Sequence, residues 1–265
     1  MIPTTPSLLQ TVDRTLRLLT AFPKDRAEVS LSELSAVTGI GPSMVHRMLY
    51  TLQRHGFVSQ APASRRYSLG LRLFELGRLV ADNLEIRQKA LPIMRRVSEQ
   101  TGESVVLMVH SDGEAVCVEG VENQQSQFRY NAPVGQRYPL HAGAGGKVLL
   151  AFQSAETIEA ILRRPLPRYT DRTVTDPDHL RAELAEIRKL GYAVNHGAVT
   201  VGVTAIGAPI KDHTGAVAAA MTLVGPAFLL TADRALALTP VVVDAARGIS
   251  HELGHSASAA AGAGL

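Results

Sequence analysis

The sequence predicts an α+β protein with two domains, and three observations support that prediction. A chain of 265 residues is long enough for two domains. Residues 1–70 combine three short helical periodicities with two short strand-like stretches. From residue 104 onward, strand patterns alternate with longer helical patterns, which is typical of a mixed sheet domain.

The first two helices are predicted from apolar spacing and from one capping signal. The first helix has a stripe formed by Leu9, Val12, Leu16 and Leu19. The second helix lies in residues 31–39, where Leu34 and Val37 are expected to face inward. Ser30 and Glu33 have the spacing of a capping box, which predicts where this second helix begins.

The third helix is predicted to begin at Gly41-Pro42-Ser43, since proline is tolerated in a first helical turn. It is predicted to end at Gly56. Its predicted inward stripe consists of Val45, Met48, Leu49 and Leu52. Its opposite face contains no acid and consists of Ser43, His46, Arg47, Tyr50 and Arg54. Two helices joined by a tight turn that contains glycine form a helix-turn-helix, whose second helix enters the major groove of DNA.

A small β-hairpin follows this helix pair and resembles a wing. The turn-prone residues 60–64 separate its two strands, and Arg65 and Arg66 lie at or near the tip. Residues 1–70 contain eight Lys or Arg and four Asp or Glu, a net charge of +4. No acid occurs between Glu33 and Glu75, and a polyanionic partner favours such a bias.

These features predict a winged helix-turn-helix that binds double-stranded DNA. The residues expected to reach base edges are Ser43, Met44, His46 and Arg47. The residues expected to contact phosphates or the minor groove are Thr51, Arg54, Arg65 and Arg66. Because one winged helix buries too little surface for tight operator binding, a homodimer or homotetramer is expected.

The rest of the chain is predicted to form a linker helix and a domain of mixed strands and helices. A helix follows residue 70 and a second one runs to about Gly102. A β-hairpin with its turn at Asp112-Gly113 comes next. The remaining predicted elements are a strand at 127–131, a loop at 133–140, the helix that follows it, helices at 156–163 and 179–190, strands at about 203–210 and 216–224, and a helix at about 232–253.

Three stretches in order carry a resemblance to a known family. They are LSELSAVTGIGPSMVHRMLYTLQRHGFVSQ with RRYSLGLRLFELG, then LHAGAGGKVLLAF, then VGVTAIGAPIKDHTGAVAAAMTLVGP. They resemble the IclR-family bacterial transcriptional regulators over nearly the entire chain except its two ends. The resemblance implies a winged helix-turn-helix domain at 1–70, a linker helix at 71–84, and a GAF-like mixed α/β effector-binding domain at 85–255. The low-complexity residues 256–265 are expected to form a disordered tail.

The resemblance also implies a small-molecule effector that changes operator affinity by shifting a conformational population. The family's pocket positions fall on Ala144, Gly145, Gly146, Asn195, His196, Ala205, Thr222 and Val224. At Ala198, Val199 and Val224 this sequence is less polar than the usual family pattern. We therefore expect an organic acid with an aromatic or branched body, whose carboxylate meets backbone N–H groups near residues 144–146.

Two motifs suggest other chemistry. The glycine-rich LHAGAGGKVLLAF does not fit a P-loop, since His141 stands at the first glycine position and Val148 replaces the hydroxyl residue. The HELGH segment, His251 to His255, matches the zinc-protease pattern, but no third ligand follows it and Gly254 weakens the helix. No cofactor, metal or catalytic residue is therefore expected.

The sequence as a whole predicts a sequence-specific DNA-binding transcriptional regulator, either repressor or activator, that is not an enzyme. A cytoplasmic location is expected because the chain has one cysteine, Cys117, shows no secretion signal and contains no apolar run of about 20 residues that could span a membrane. Two alternatives stay open. One is a metallohydrolase that uses HELGH, and the other is a sensor or scaffold module that binds protein instead of DNA.

Overall fold

The computed structural model describes residues 7–23, 26–123, 130 and 133–256. Most of the strand predicted at 127–131, and all but Ser256 of the predicted tail, lie outside the described residues. The chain divides into two compact units, Met1–Asn83 and Leu84–Leu265. None of the helices in the described ranges is long and apolar enough to cross a bilayer.

The first unit contains the predicted helix-turn-helix and hairpin. Its elements are α1 (Gln10–Thr20), α2 (Leu31–Thr38), α3 (Pro42–Arg54), β1 (Val58–Gln60), β2 (Tyr67–Leu69) and α4 (Leu71–Asn83). The capping box is confirmed, because the Ser30 hydroxyl accepts from the Glu33 N–H while the Glu33 carboxylate accepts from the Ser30 N–H. Strands β1 and β2 pair antiparallel, with Val58 opposite Leu69.

The core of the first unit confirms the inward stripe of α3 and corrects the prediction for Val37. Its buried members are Leu18, Val29, Leu34, Ile40, Val45, Met48, Leu49, Leu52, Val58 and Tyr67. Val37 was expected to face inward but is 74% exposed. Of the predicted stripe in the first helix, Leu9, Val12 and Leu16 are exposed and Leu19 is partly buried against the core, whereas the buried residue of α1 is Leu18. Spacing defines an apolar face, whereas only the packed neighbours decide which face is buried.

The second unit is a six-stranded sheet between helices. Its elements are α5 (Glu85–Thr101), β3 (Ser104–Ser111), β4 (Glu114–Val121), β5 (Arg137–Pro139), α6 (Ala144–Ala151), α7 (Ala155–Leu162), α8 (Pro177–Leu190), β6 (Ala193–His196), β7 (Val203–Lys211), β8 (Val217–Pro226) and α9 (Ala232–Glu252). The strands pair antiparallel in the order β5-β4-β3-β8-β7-β6. One apolar core contains residues of α6, α7 and α8, and a second core contains residues of α5 and α9.

Most predicted elements of this unit are present, but both edge strands differ from the prediction. Asp112 and Gly113 have φ angles of 54° and 80°, which fits the predicted tight turn between β3 and β4. Strand β5 lies in a stretch predicted as a loop, and β6 was not predicted. Strands of 3 and 4 residues are too short to show a period of two, so pairing with β4 and β7 defines them instead.

Candidate functional site

Helix α3 presents a polar face to solvent. Val45, Met48, Leu49 and Leu52 fill the core, so Ser43, His46 and Arg47 are left exposed on the other side of the helix. The helix contains no acidic residue. An exposed helix with hydroxyl, imidazole and guanidinium groups carries the donors and the charge that reading the major groove requires.

Three further predicted DNA contacts differ in how free their side chains are. Met44 is half-buried and packs against the core of the first unit, so only part of it can reach a base. The Thr51 hydroxyl donates to the carbonyl oxygen of Arg47 at 3.0 Å. Arg54 is exposed in the last helical turn, where its guanidinium can reach a phosphate.

The two arginines of the hairpin have different environments. Arg65 is exposed, has a φ of 57°, and makes no ion pair within the described part of the chain. Arg66 donates to the Glu33 carboxylate at 2.8 Å, and Arg26 contacts the same carboxylate at 2.7 Å. Hydrogen bonds with Ser30, together with Arg26, lower the pKa of Glu33 to about 2. Glu33 therefore ties the hairpin to the start of α2, while Arg65 is free to reach a ligand.

The second unit has a mainly apolar cavity at the start of α6. The apolar side chains around it are Val106, Met108, Ala142, Ala144, Val199, Val203, Ala205 and Val224. The polar side chains around it are Tyr130, Tyr138, Asn195, Thr200 and Thr222. The described residues that line the cavity include no Asp, Glu, Lys, Arg or His, so they carry no formal charge at neutral pH. Burial and a hydrogen bond with Tyr130 raise the pKa of Tyr138 above its usual value.

The start of α6 is open to this cavity. Gly143 precedes the helix with a φ of 78°, a left-handed conformation that favours glycine, and no side chain caps the helix. The first intrahelical hydrogen bond runs from the Lys147 N–H to the Gly143 carbonyl at 3.2 Å. The N–H groups of the first turn therefore have no acceptor within the helix and can receive an anion or a carbonyl.

Thr222 places a buried hydroxyl beside this helix start. The residue is 3% exposed, and its Oγ1 has no hydrogen-bond partner among the described residues. A Cβ built on Gly145 would lie 2.5 Å from that oxygen, so the hydroxyl faces the first turn of α6. An unpaired buried hydroxyl costs about 1–3 kcal/mol, so this position favours a bound ligand that supplies the missing partner.

The cavity brings together all but one of the predicted effector positions. Those that line it are Ala144, Gly145, Gly146, Asn195, Ala205, Thr222 and Val224. The exception, His196, is exposed on β6, and its Nδ1 lies 3.4 Å from the Thr204 hydroxyl. Sequence reasoning missed Val106 and Met108, although the alternation of β3 puts both on one face of the sheet.

The HELGH segment does not form a two-histidine helical face. Helix α9 ends at Glu252, and Gly254 has a φ of 83°, so His255 lies beyond the helix that carries His251. Within the described residues, no three His, Cys, Asp or Glu side chains are grouped so that they could hold a metal ion. Cys117 is buried, and burial raises the pKa of its thiol to about 11, so it is protonated at neutral pH.

Comparison with known proteins finds the same two domains. Residues 11–62 match the IclR helix-turn-helix domain, and residues 78–251 match the family described as bacterial transcriptional regulator IclR C-terminal. The HTH-type transcriptional regulator KipR of Bacillus subtilis (strain 168) is 38% identical over 248 residues, covering 93% of this chain and 98% of KipR. The transcriptional repressor IclR of Escherichia coli (strain K12) is 32% identical over 245 residues, covering 91% of this chain and 89% of that repressor.

Solved structures agree with these relatives. An IclR homolog from Microbacterium hydrocarbonoxydans, complexed with 4-hydroxybenzoate, is 32% identical with a TM-score of 0.81, covering 93% of this chain and 100% of that one. An IclR regulator from Alicyclobacillus acidocaldarius is 27% identical with a TM-score of 0.84, covering 94% and 100%. Proteins of this family are transcriptional regulators and in general not enzymes. The chain belongs to the IclR family of bacterial transcriptional regulators, which bind DNA through a helix-turn-helix domain.

Proposed function

We propose that this regulator acts in the cytoplasm as a homodimer or homotetramer and that its operator affinity changes when an organic monocarboxylate binds the cavity at the start of α6. The observation that carries the effector assignment is the buried, unpartnered hydroxyl of Thr222 beside an uncapped helix. Together these groups supply one side-chain donor and several backbone donors to an anion.

The lining of the cavity favours one negative charge on an apolar body. A single carboxylate can be held by the first-turn N–H groups and the Thr222 hydroxyl, whereas a second anionic group would meet no cation among the described lining residues. Val106, Met108 and Val224 offer apolar surface to an aromatic ring or a branched chain. The Microbacterium relative that was crystallised with 4-hydroxybenzoate binds a molecule of this class.

A thermal-shift screen of the full chain tests the proposal. Benzoate, 4-hydroxybenzoate and 3-methylbutanoate are compared with the dicarboxylate succinate, and at least one monocarboxylate should raise the melting temperature, since a ligand of the native state stabilises it. Thr222→Val keeps the side-chain shape and should lower the affinity for that acid about tenfold, because a hydrogen bond to a charged group is lost.

The matched control is Thr239→Val, whose buried hydroxyl donates to the Ala235 carbonyl within α9. Its effector affinity should equal that of the wild type. The proposal fails if none of the acids shifts the melting temperature, or if Thr222→Val binds as tightly as Thr239→Val.

For DNA recognition we propose that Ser43, His46 and Arg47 contact base edges, since they form the exposed, acid-free face of α3. Arg54 and Arg65 are exposed and are assigned to phosphates. The other predicted contacts have a second role as well: Met44 packs on the core, Thr51 bonds its own helix and Arg66 holds the hairpin to Glu33.

The exposed apolar faces of α1 and α4 support a homodimer. Val12 and Leu16 of α1, and Leu9 just before it, are more than half exposed. Helix α4 contains no buried residue, with Phe74 at 68% and Leu79 at 60% exposure. Apolar faces of this kind mark interaction surfaces. A second copy of the chain is the partner proposed for them, because a pair of α3 helices reads two half-sites of an operator.

A further inference from the structure

Lys147 occupies an unfavourable position for a free cation. It is the one charged residue of α6, a helix whose eight residues are all buried, and its side chain is 4% exposed. Its Cα lies about 4.5 Å along the axis from that of Ala144, and helical side chains lean toward the N-terminus. The ammonium group therefore lies near the positive end of the helix dipole, where a cation is disfavoured.

The partner of Lys147 neutralises it incompletely. Glu183 in α8 contacts the ammonium group at 2.6 Å, but the Glu183 side chain is 34% exposed. Water screens the charge of Glu183 more strongly than that of Lys147, so a net positive potential remains at the start of α6. That potential reaches His141, whose pKa is lowered by burial and further by Lys147, although a hydrogen bond with the Pro167 carbonyl opposes the shift.

We propose that Lys147 supplies, through its charge and without contact, part of the affinity for the effector's carboxylate at the start of α6, and that Glu183 limits that contribution. This inference rests on the proposed function, because it needs an anion at the first turn of α6. The bound anion offsets the cost of placing a buried cation beside the helix N-terminus. A mainly apolar cavity with no charged lining side chain among the described residues thus gains selectivity for acids over neutral molecules.

The test is calorimetric titration of the full chain with acids and their uncharged counterparts. Benzoate, 4-hydroxybenzoate and 3-methylbutanoate are each compared with the corresponding primary amide. Lys147→Met should lower the affinity for acids about tenfold, as expected when one unit charge near an anion is removed at an effective dielectric constant of about 20, and should change the affinity for amides less than about twofold. Glu183→Gln should raise the affinity for acids about two- to fivefold and leave the affinity for amides unchanged.

The matched control is Lys189→Met, which removes an exposed lysine that pairs with Glu186 in α8. This variant should change the affinity for neither acids nor amides. Equal losses for acids and amides in both Lys147→Met and Glu183→Gln would mean that the pair only fastens α6 to α8, and would overturn the inference.

The outcomes also separate this inference from the proposed function. A wild-type chain that binds the acids but keeps its affinity in Lys147→Met refutes the inference alone. A wild-type chain that binds none of the probes refutes the proposed function and the inference with it. If Lys147→Met does not fold, the sign of the change in Glu183→Gln decides, because a fastening role predicts weaker binding and a charge role predicts tighter binding.

Discussion

Replacing Gly146 by alanine probes how closely α6 packs on the backbone beside the cavity. A Cβ at this position would collide with the carbonyl oxygen of Pro139 and would lie 3.2 Å from the Leu140 Cα and 3.3 Å from the Leu140 carbonyl oxygen. All three are backbone atoms, so no side-chain rotation can relieve the overlap. Either α6 or the segment that follows β5 has to move.

The size of the effect follows from two opposing terms. Overpacking costs about 1–3 kcal/mol, and the collision with backbone places Gly146→Ala at the upper end of that range. Alanine in a helix regains about 0.5–1 kcal/mol relative to glycine. The net destabilisation is therefore about 2 kcal/mol, or a melting temperature about 4–8 °C lower for a unit of this size.

Gly248→Ala is the matched control in the same unit. Gly248 lies inside α9, and a Cβ there would meet only the Ile93 Cδ1 at an ordinary 3.7 Å. This variant should be about 0.5–1 kcal/mol more stable than the wild type. Urea unfolding of the full chain, followed by circular dichroism because the chain has no tryptophan, measures both variants. A Gly146→Ala chain as stable as Gly248→Ala would refute the packing argument.

Three further predictions concern the first unit. Arg47→Ala should cost about 1–3 kcal/mol of operator preference in gel shifts, whereas equal weakening on operator and random DNA would mark Arg47 as a phosphate contact. The ionised Glu33 carboxylate stabilises the fold fully above its unfolded pKa near 4.5, and this stabilisation is lost as the pH falls toward about 2. The difference in unfolding free energy between wild type and Glu33→Gln should therefore close between pH 4.5 and about 2 in acid titrations. An unchanged gap would contradict the lowered pKa of Glu33, and with it the stabilising contacts that Glu33 makes with Ser30 and Arg26. Leu79→Asp, at a 60% exposed position, should leave the monomer folded but dissociate the dimer in sedimentation experiments, and an unchanged mass argues against α4 as the interface.

The sequence determined the elements whose signals lie within a few residues of each other. Ser30 and Glu33 predicted the start of α2 from their spacing alone, because a capping box is a local hydrogen-bonded unit. The stripe of α3 and the turn at Asp112-Gly113 were predicted for the same reason. The predicted effector positions came from the resemblance to the IclR family, and seven of the eight line one cavity.

Only the tertiary structure decided which surfaces meet. The burial of Leu18 instead of Leu16 depends on what packs against α1, and β5 and β6 exist because neighbouring strands pair with them. The contact between Lys147 and Glu183 joins residues 36 positions apart. The Thr222 hydroxyl is unpaired because folding brings no donor or acceptor of the described residues within hydrogen-bond distance of it. Local spacing encodes hydrogen bonds within a turn, whereas burial and charge pairing depend on segments that folding brings together.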